Sequence, residues 1–191
     1  MSAREPDLRG VLTSRGAILS GHFRLSSGRH SDRFIQKFRV LEDPKLLEPL
    51  AASIADRFRP SQPTVVVGAA VGGILLAYEV ARQLGTRSIF VEKENGVATL
   101  RRGFTLSGSD RALIVEDVLT TGLSVNETIG VVRGHGAKIV GLGTIVARGA
   151  LPDAEFPSYA LLELPLQSYD ESECYQCRAG EPITDPGSRR T

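Results

Sequence analysis

Two adjacent carboxylates, Glu116 and Asp117, stand just ahead of a run of small hydroxyl and glycine residues, Thr120, Thr121, Gly122 and Ser124, in the stretch IVEDVLTTGLS. A small, polar loop at a helix start suits an anion, because its free backbone N–H groups carry a partial charge of about half a unit. Carboxylates set against that anion would repel it, so they should face a neutral hydrogen-bond donor or a metal ion. A sugar diol is neutral and donates. A ligand that joins a vicinal diol to a phosphate, a ribose 5-phosphate, therefore satisfies both halves of the stretch. Either half alone fits solvated strand-end acids or an ordinary helix cap; their combination behind a wholly apolar strand favours the ligand. The stretch lacks the G-x-x-x-x-G-K-[ST] spacing of a P-loop, and no G-x-G-x-x-G follows a strand here.

Such residues need a strand to deliver them and a helix to close the loop. RALIVEDV reads as the strand and SVNETIGVVRGHG as the helix, with Ser124 and Glu127 at the S-x-x-E spacing of a capping box. The same alternation recurs around it. TVVVG, from Thr64, is a short β-branched run of the kind covered on both faces, and GGILLAYEVARQLG after it is a helix closed by Gly85. RSIFVEK, KIVGLGTIVAR and YALLEL supply further strands. This order predicts an α/β fold with a doubly wound parallel sheet, in which ligands bind at the carboxyl ends of the strands.

Upstream, Leu8, Val11 and Leu12 share a helical face that Gly16 could end, and His22 to Gln36 reads as two extended runs joined by a polar turn at Ser26 to Ser31. Asp43 as cap and Pro44 at the first position open a helix with Leu47, Leu50, Ile54 and Phe58 at helical spacing, although Pro49 blurs its start. The expected division is 1–42 as an N-terminal helix and hood, 43–165 as the α/β core, and 166–191 as a tail carrying the cysteines.

The 191 residues are 41% hydrophobic and 24% charged, with a net charge of +1. That balance gives no reason to expect nucleic acid or an anionic membrane surface as a partner. No apolar run approaches the roughly 20 residues of a membrane span, and MSAREPDLRG lacks the apolar core of a secretory signal, so a cytoplasmic protein is expected. His22, His30 and His135 are well separated and have no partners at ligand spacing, which argues against a histidine metal site. Cys174 and Cys177 form a lone C-x-x-C, which reads as two thiols or a labile disulfide rather than half of a zinc site.

ALIVEDVLTTGLS resembles the phosphoribosyl pyrophosphate (PRPP) signature of type I phosphoribosyltransferases, and GAILSGHFRLSSGRHSDRFIQ is similar to the amino-terminal region of the orotate phosphoribosyltransferases. The similarity runs from Gly16 to Arg148 and includes the order of the elements. It implies that orotate attacks the anomeric carbon of PRPP, with release of pyrophosphate and formation of orotidine 5-monophosphate in pyrimidine biosynthesis. It also implies Mg2+, bound through PRPP rather than by the protein, and a homodimer with shared active sites.

By the same resemblance Glu116 and Asp117 hold the ribose hydroxyls, and the segment Val118, Leu119, Thr120, Thr121, Gly122, Leu123 and Ser124 belongs to PRPP binding. Thr120, Arg148 and Ser26 fall at orotate-contacting positions. Ala69, Ala70, Val71, Gly72 and Gly73 match the pyrophosphate loop, and Lys93 joins Asp117 as a catalytic position. The sequence departs from the family at Ser26 and Gly72, where relatives carry lysine, and in EKENGVATLRRGF, which should be a mobile basic loop. There Arg101 and Arg102 are candidates for the missing charge and Gly96 and Gly103 for hinges; a solvated hairpin turning at Asn95-Gly96 is the plainer reading. A PRPP-sensing regulator, a phosphoribosyltransferase for a purine or uracil, and a phosphate-accepting receiver domain are the other candidates.

Overall fold

The computed structural model describes residues 7–25, 27–152 and 155–186, so Ser26 lies outside the described residues. In chain order the elements are α1 (Leu8–Ser14), β1 (Ile18–Arg24), β2 (His30–Ile35), α2 (Phe38–Leu41), α3 (Pro44–Phe58), β3 (Val65–Ala69), α4 (Gly72–Leu84), β4 (Arg87–Glu94), β5 (Val97–Leu100), β6 (Arg111–Leu119), α5 (Leu123–Gly134), β7 (Lys138–Ala147), β8 (Ser158–Glu163) and α6 (Tyr175–Arg178). They form two compact units: 41–164, and 1–40 together with 165–191.

The larger unit is built on a six-stranded sheet of order β5-β4-β3-β6-β7-β8. Every neighbouring pair is parallel except β4 with β5, which form an antiparallel hairpin at one edge. Among the parallel strands the chain starts at β3, steps outward to β4, then returns to the other side of β3 for β6. That reversal makes β3 and β6 neighbours at a topological switch point, where the loops at their carboxyl ends diverge and leave a crevice. Val65, Val66 and Val67 of β3 and Leu113, Ile114 and Val115 of β6 are all at most 1% exposed, as the β-branched, wholly apolar runs require of strands covered on both faces.

Helix starts follow the local chemistry in most places. Asp43 accepts from Lys45 N at 3.0 Å with Pro44 at the first position, so α3 begins there, and Pro49 sits inside the helix instead of delaying it. The loss of one backbone bond at Pro49 is outweighed by the burial of Leu46, Leu47, Leu50, Ile54 and Phe58. The capping box at Ser124 is not formed. Helix α5 begins at Leu123 with Gly122, which has no side chain to cap it, at φ 77, and Thr121 Oγ1 accepts from Leu123 N at 3.4 Å. The left-handed turn at Gly122 ends the loop two residues earlier than the S-x-x-E pattern anticipates. Glu127, freed from capping, pairs with Lys93 Nζ at 2.8 Å.

In the smaller unit β1 and β2 pair antiparallel, with a register slip between Ser20 and Phe23. The slip breaks the in-out alternation, so His22 and Phe23 are both buried. The tail is tied to this hairpin by isolated bridges, Phe23 with Thr184 and His30 with Tyr169, and by Arg29, which bonds Ser168 Oγ, Ser168 O and Asp170. This arrangement corrects the expectation that the histidines have no partners. His22 and His30 come from facing strands and meet Cys174 and Cys177 from the tail, a grouping that sequence spacing could not show because it is closed by tertiary contacts.

Candidate active site

Glu116 and Asp117 reach the site through β6, whose register with β7 pairs Glu116 with Thr144. Both are strongly buried, at 7% and 2% exposure. Each begins to organise the chain around it: Glu116 Oε1 accepts from Asp117 N at 3.2 Å, and Asp117 Oδ1 accepts from Val118 N at 2.7 Å. Carboxylates this dry are sustained by hydrogen-bonding partners, so the pair is not a set of solvated strand-end acids.

Beyond them the chain turns through Thr120 and Thr121, both exposed, into the start of α5. Together with Glu116, Val118 and Ser124 these residues line a shallow concavity. The helix N-terminus, two exposed threonine hydroxyls and the exposed Ser124 hydroxyl lie on one turn, and although Thr121 Oγ1 accepts from Leu123 N at 3.4 Å, this is the composition of an anion cradle. Leu119 plays a different part: its side chain is 2% exposed in the core, and its carbonyl accepts from Arg148 N at 2.8 Å. Leu123 is 61% exposed.

The loop Ala69 to Gly73 leaves β3 beside this turn, since Gly68 registers with Val115 one residue before Glu116. Its backbone groups are not equivalent. Ala70 N donates to Val91 O at 2.8 Å and is spent on the sheet, whereas Gly72 and Gly73 open α4, where N–H groups have no intrahelical acceptor. The Ala70–Val71 peptide is cis. The glycines also serve packing, because a Cβ on Gly68 would lie 2.2 Å from Gly73 O. A second hollow next to the loop is lined by Ala69, Ala70, Lys93, Ser124 and Glu127, and it brings Lys93 beside the start of α5.

Arg148 follows β7 and lies alongside the same loop, a Cβ on neighbouring Gly149 falling 3.2 Å from Thr120 O. It is half-buried, and its Nε is buried with no hydrogen-bond partner among the described residues. Desolvation draws its guanidinium below its usual basicity. A partly dried guanidinium with an unused donor is the configuration expected of a residue that meets an anionic ligand.

The segment from Glu92 to Phe104 is an ordered hairpin with Asn95 and Gly96 at φ 51 and 82, the turn that Asn-Gly favours. Its arginines are engaged within the hairpin: Arg102 grips Glu92 at 2.7 and 3.0 Å, and Arg101 lies 3.2 Å from Glu94. Hydrogen bonding from Arg102 holds the Glu92 carboxyl below its usual range against a smaller desolvation effect. In this conformation the arginines neutralise acids of their own hairpin.

Residues 39–165 match the model of the phosphoribosyl transferase domain, and the chain belongs to that family. Curated relatives narrow this. An orotate phosphoribosyltransferase of Pelotomaculum thermopropionicum is 46% identical over 96% of this chain and 97% of its own length, and one of Desulforamulus reducens is 45% identical over 94% and 95%. Within the family the chain is thus placed among the orotate phosphoribosyltransferases. The crystal structure of orotate phosphoribosyltransferase from Aeropyrum pernix is similar with a TM-score of 0.65 and 30% identity, covering 82% of this chain and 93% of that one. An adenine phosphoribosyltransferase structure from Rhodothermus marinus reaches the same TM-score at 23% identity, over 83% and 100% of the two chains, so the fold by itself does not choose the base.

Proposed function

We propose that the residues around the ends of β3 and β6 carry out the orotate phosphoribosyltransferase reaction, transfer of ribose 5-phosphate from PRPP to orotate, with the following division of labour. Glu116 and Asp117 accept from the ribose hydroxyls, and Thr120 to Ser124 with the start of α5 hold the 5-phosphate. Gly72 and Gly73, at the start of α4, face the pyrophosphate. The observation that carries this reading is the burial of two carboxylates directly beside a helix start at the sheet's switch point. A ribose 5-phosphate reconciles the two.

The chemistry asks little of any acid or base. As the bond from the anomeric carbon to pyrophosphate lengthens, positive charge develops on the sugar, and the protein's part is to hold the reactants in line and exclude water. Orotate is already an anion. Arg148 orients it through the half-buried guanidinium, with Thr120 beside it, and Lys93 lies where it can offset charge on the leaving group once it releases Glu127. Mg2+, bound through the oxygens of PRPP rather than by protein ligands, would neutralise leaving-group charge.

The reading extends to a cytoplasmic homodimer. Val71, Leu75 and Tyr78 are 69%, 46% and 66% exposed at one-turn spacing on α4, an apolar face suited to a second copy of the chain. Among the described residues no helix is long and apolar enough to cross a membrane, and both cysteines are free thiols. Sedimentation of the full chain tests the dimer.

Arg148→Ala tests the base-binding assignment. Loss of a charged hydrogen-bonding partner should raise the Michaelis constant for orotate roughly tenfold to a hundredfold. The constant for PRPP should move by less than about threefold. Equal effects on the two constants would remove Arg148 from the orotate site.

A further inference from the structure

Four side chains that the transfer reaction does not use converge in the smaller unit. His22 and His30, on β1 and β2, meet Cys174 and Cys177, which flank the start of α6, with all four candidate donor atoms within 4.8 Å of one another. His22, His30 and Cys174 are at most 4% exposed, and neither cysteine is in a disulfide. His22 Nε2 lies 3.2 Å from His30 Nδ1, 3.4 Å from Cys174 Sγ and 3.6 Å from Cys177 Sγ; His30 Nδ1 is 3.2 Å from Cys177 Sγ.

Hydrogen bonding alone does not account for this. His22 Nδ1 lies 3.0 Å from Glu181 O, so it carries the proton and donates, which leaves Nε2 with a single lone pair. Three neighbours approach that one lone pair. A cation at the centre uses all four donors at once. Tetrahedral zinc, with bonds of about 2.0–2.1 Å to nitrogen and about 2.3 Å to sulfur, has edges of about 3.3 Å between nitrogens and about 3.6 Å between nitrogen and sulfur. Four of the six separations, 3.2 Å between nitrogens and 3.2–3.6 Å between nitrogen and sulfur, are those edges to within a few tenths of an ångström, and the two others, from Cys174 Sγ to His30 and to Cys177, are at most 4.8 Å. The bond from His22 Nδ1 to the Glu181 carbonyl is also the outer contact that fixes a histidine ligand's tautomer.

We propose that His22, His30, Cys174 and Cys177 bind one Zn2+ as a structural Cys2His2 site that fastens the tail to the amino-terminal hairpin. Binding displaces the two thiol protons, and two thiolates with two neutral imidazoles give a complex of no net charge, which a buried site tolerates. All four corners are filled by protein, so the ion has no open position for a substrate and no part in the transfer reaction. Convergence on one point excludes a two-iron cluster, whose histidines and cysteines sit on different metals. The need for a staple is visible in the unit. A two-stranded sheet is marginal alone, and the regular structure that the described part of the tail adds is slight: a single helical turn, α6, a three-residue 3-10 turn and two isolated bridges.

The test uses the full chain, purified without chelators, and does not depend on catalysis. Metal analysis should find about one zinc per chain, with Cys177→Ser and His22→Ala each losing most of it and His135→Ala, a change at an exposed histidine outside the cluster, keeping it. If the variants fail to fold, the wild-type protein still decides: reduced, chelator-stripped chain titrated with Co2+ should saturate near one equivalent, with a thiolate charge-transfer band and the intense visible bands of a tetrahedral ion, both abolished by Zn2+. Absence of metal together with a Cys174–Cys177 disulfide, an iron content in place of zinc, or a weak octahedral Co2+ spectrum would each overturn the proposal.

Discussion

The strand ends of the larger unit and the paired chain ends of the smaller one both gather polar side chains, by opposite routes. At β6 the chemistry is contiguous: Glu116, Asp117 and the turn to α5 lie within nine residues, and the strand-loop-helix geometry that aims them is written in the same stretch. In the hairpin and tail, His22 and Cys177 are far apart in sequence, and they meet only because a register slip turns His22 inward and the tail returns to bridge Phe23 and His30. Local motifs announce sites of the first kind. Sites of the second kind exist only once the chain has folded.

That contrast can be tested at both ends. The largest effect is expected at the contiguous site, where Asp117→Ala should reduce kcat/KM for PRPP roughly a hundredfold or more with any base, measured by initial rates. A comparable loss in the unfolding midpoint would mean that Asp117 is structural. At the dispersed site, Cys177→Ser should speed limited proteolysis within 165–186 by about tenfold or more while 41–164 persists as a resistant fragment. Uniform cleavage of both units would show that the cluster does not hold the tail locally.

Between these lies the close backbone approach of Gly68 to Gly73 across the turn from β3 into α4. Gly68→Ala should destabilise the chain by about 3 kcal/mol, since the added methyl meets the Gly73 carbonyl, which a helix start cannot easily move. Denaturant unfolding measures it. A smaller effect follows from Asp110, which burial pushes up but which the Arg87 ion pair at 2.6 Å and the Ser107 amide pull below the usual carboxylate range. A depressed folded pKa stabilises above the unfolded value near about 4 and is lost as pH falls below it. Asp110→Asn should therefore lower stability at neutral pH and flatten its decline below about pH 4. The smallest change is expected for Arg102→Ala, an exposed pair with Glu92, at less than about 0.5 kcal/mol.

How much was legible follows the same division. The alternation of apolar strands and amphipathic helices predicted the parallel sheet, and Asp43-Pro44 and Gly85 marked helix ends where they occur. The placement of Glu116 and Asp117 at the end of a buried strand, with a turn into a helix after them, could be read because it follows from the local apolar run. The start of α5 was misplaced, since the S-x-x-E pattern competes with a left-handed glycine two residues upstream and loses. The engagement of Arg101 and Arg102 by Glu92 and Glu94 was hidden for a related reason: cross-strand register in the β4–β5 hairpin decides it. His135, the third histidine, shows why histidine spacing alone misled, because its type is shared with the cluster but its place in the fold is not.

The central claim is that a buried acid pair and an anion cradle at one strand end serve orotate as the accepting base. The most direct measurement supplies the full chain with PRPP, Mg2+ and, in parallel, orotate, uracil, adenine and hypoxanthine, and follows base consumption together with pyrophosphate release. Turnover with orotate alone, one pyrophosphate per orotate consumed, is the predicted result. Turnover with another base and none with orotate, or tight PRPP binding with no turnover at all, would contradict it.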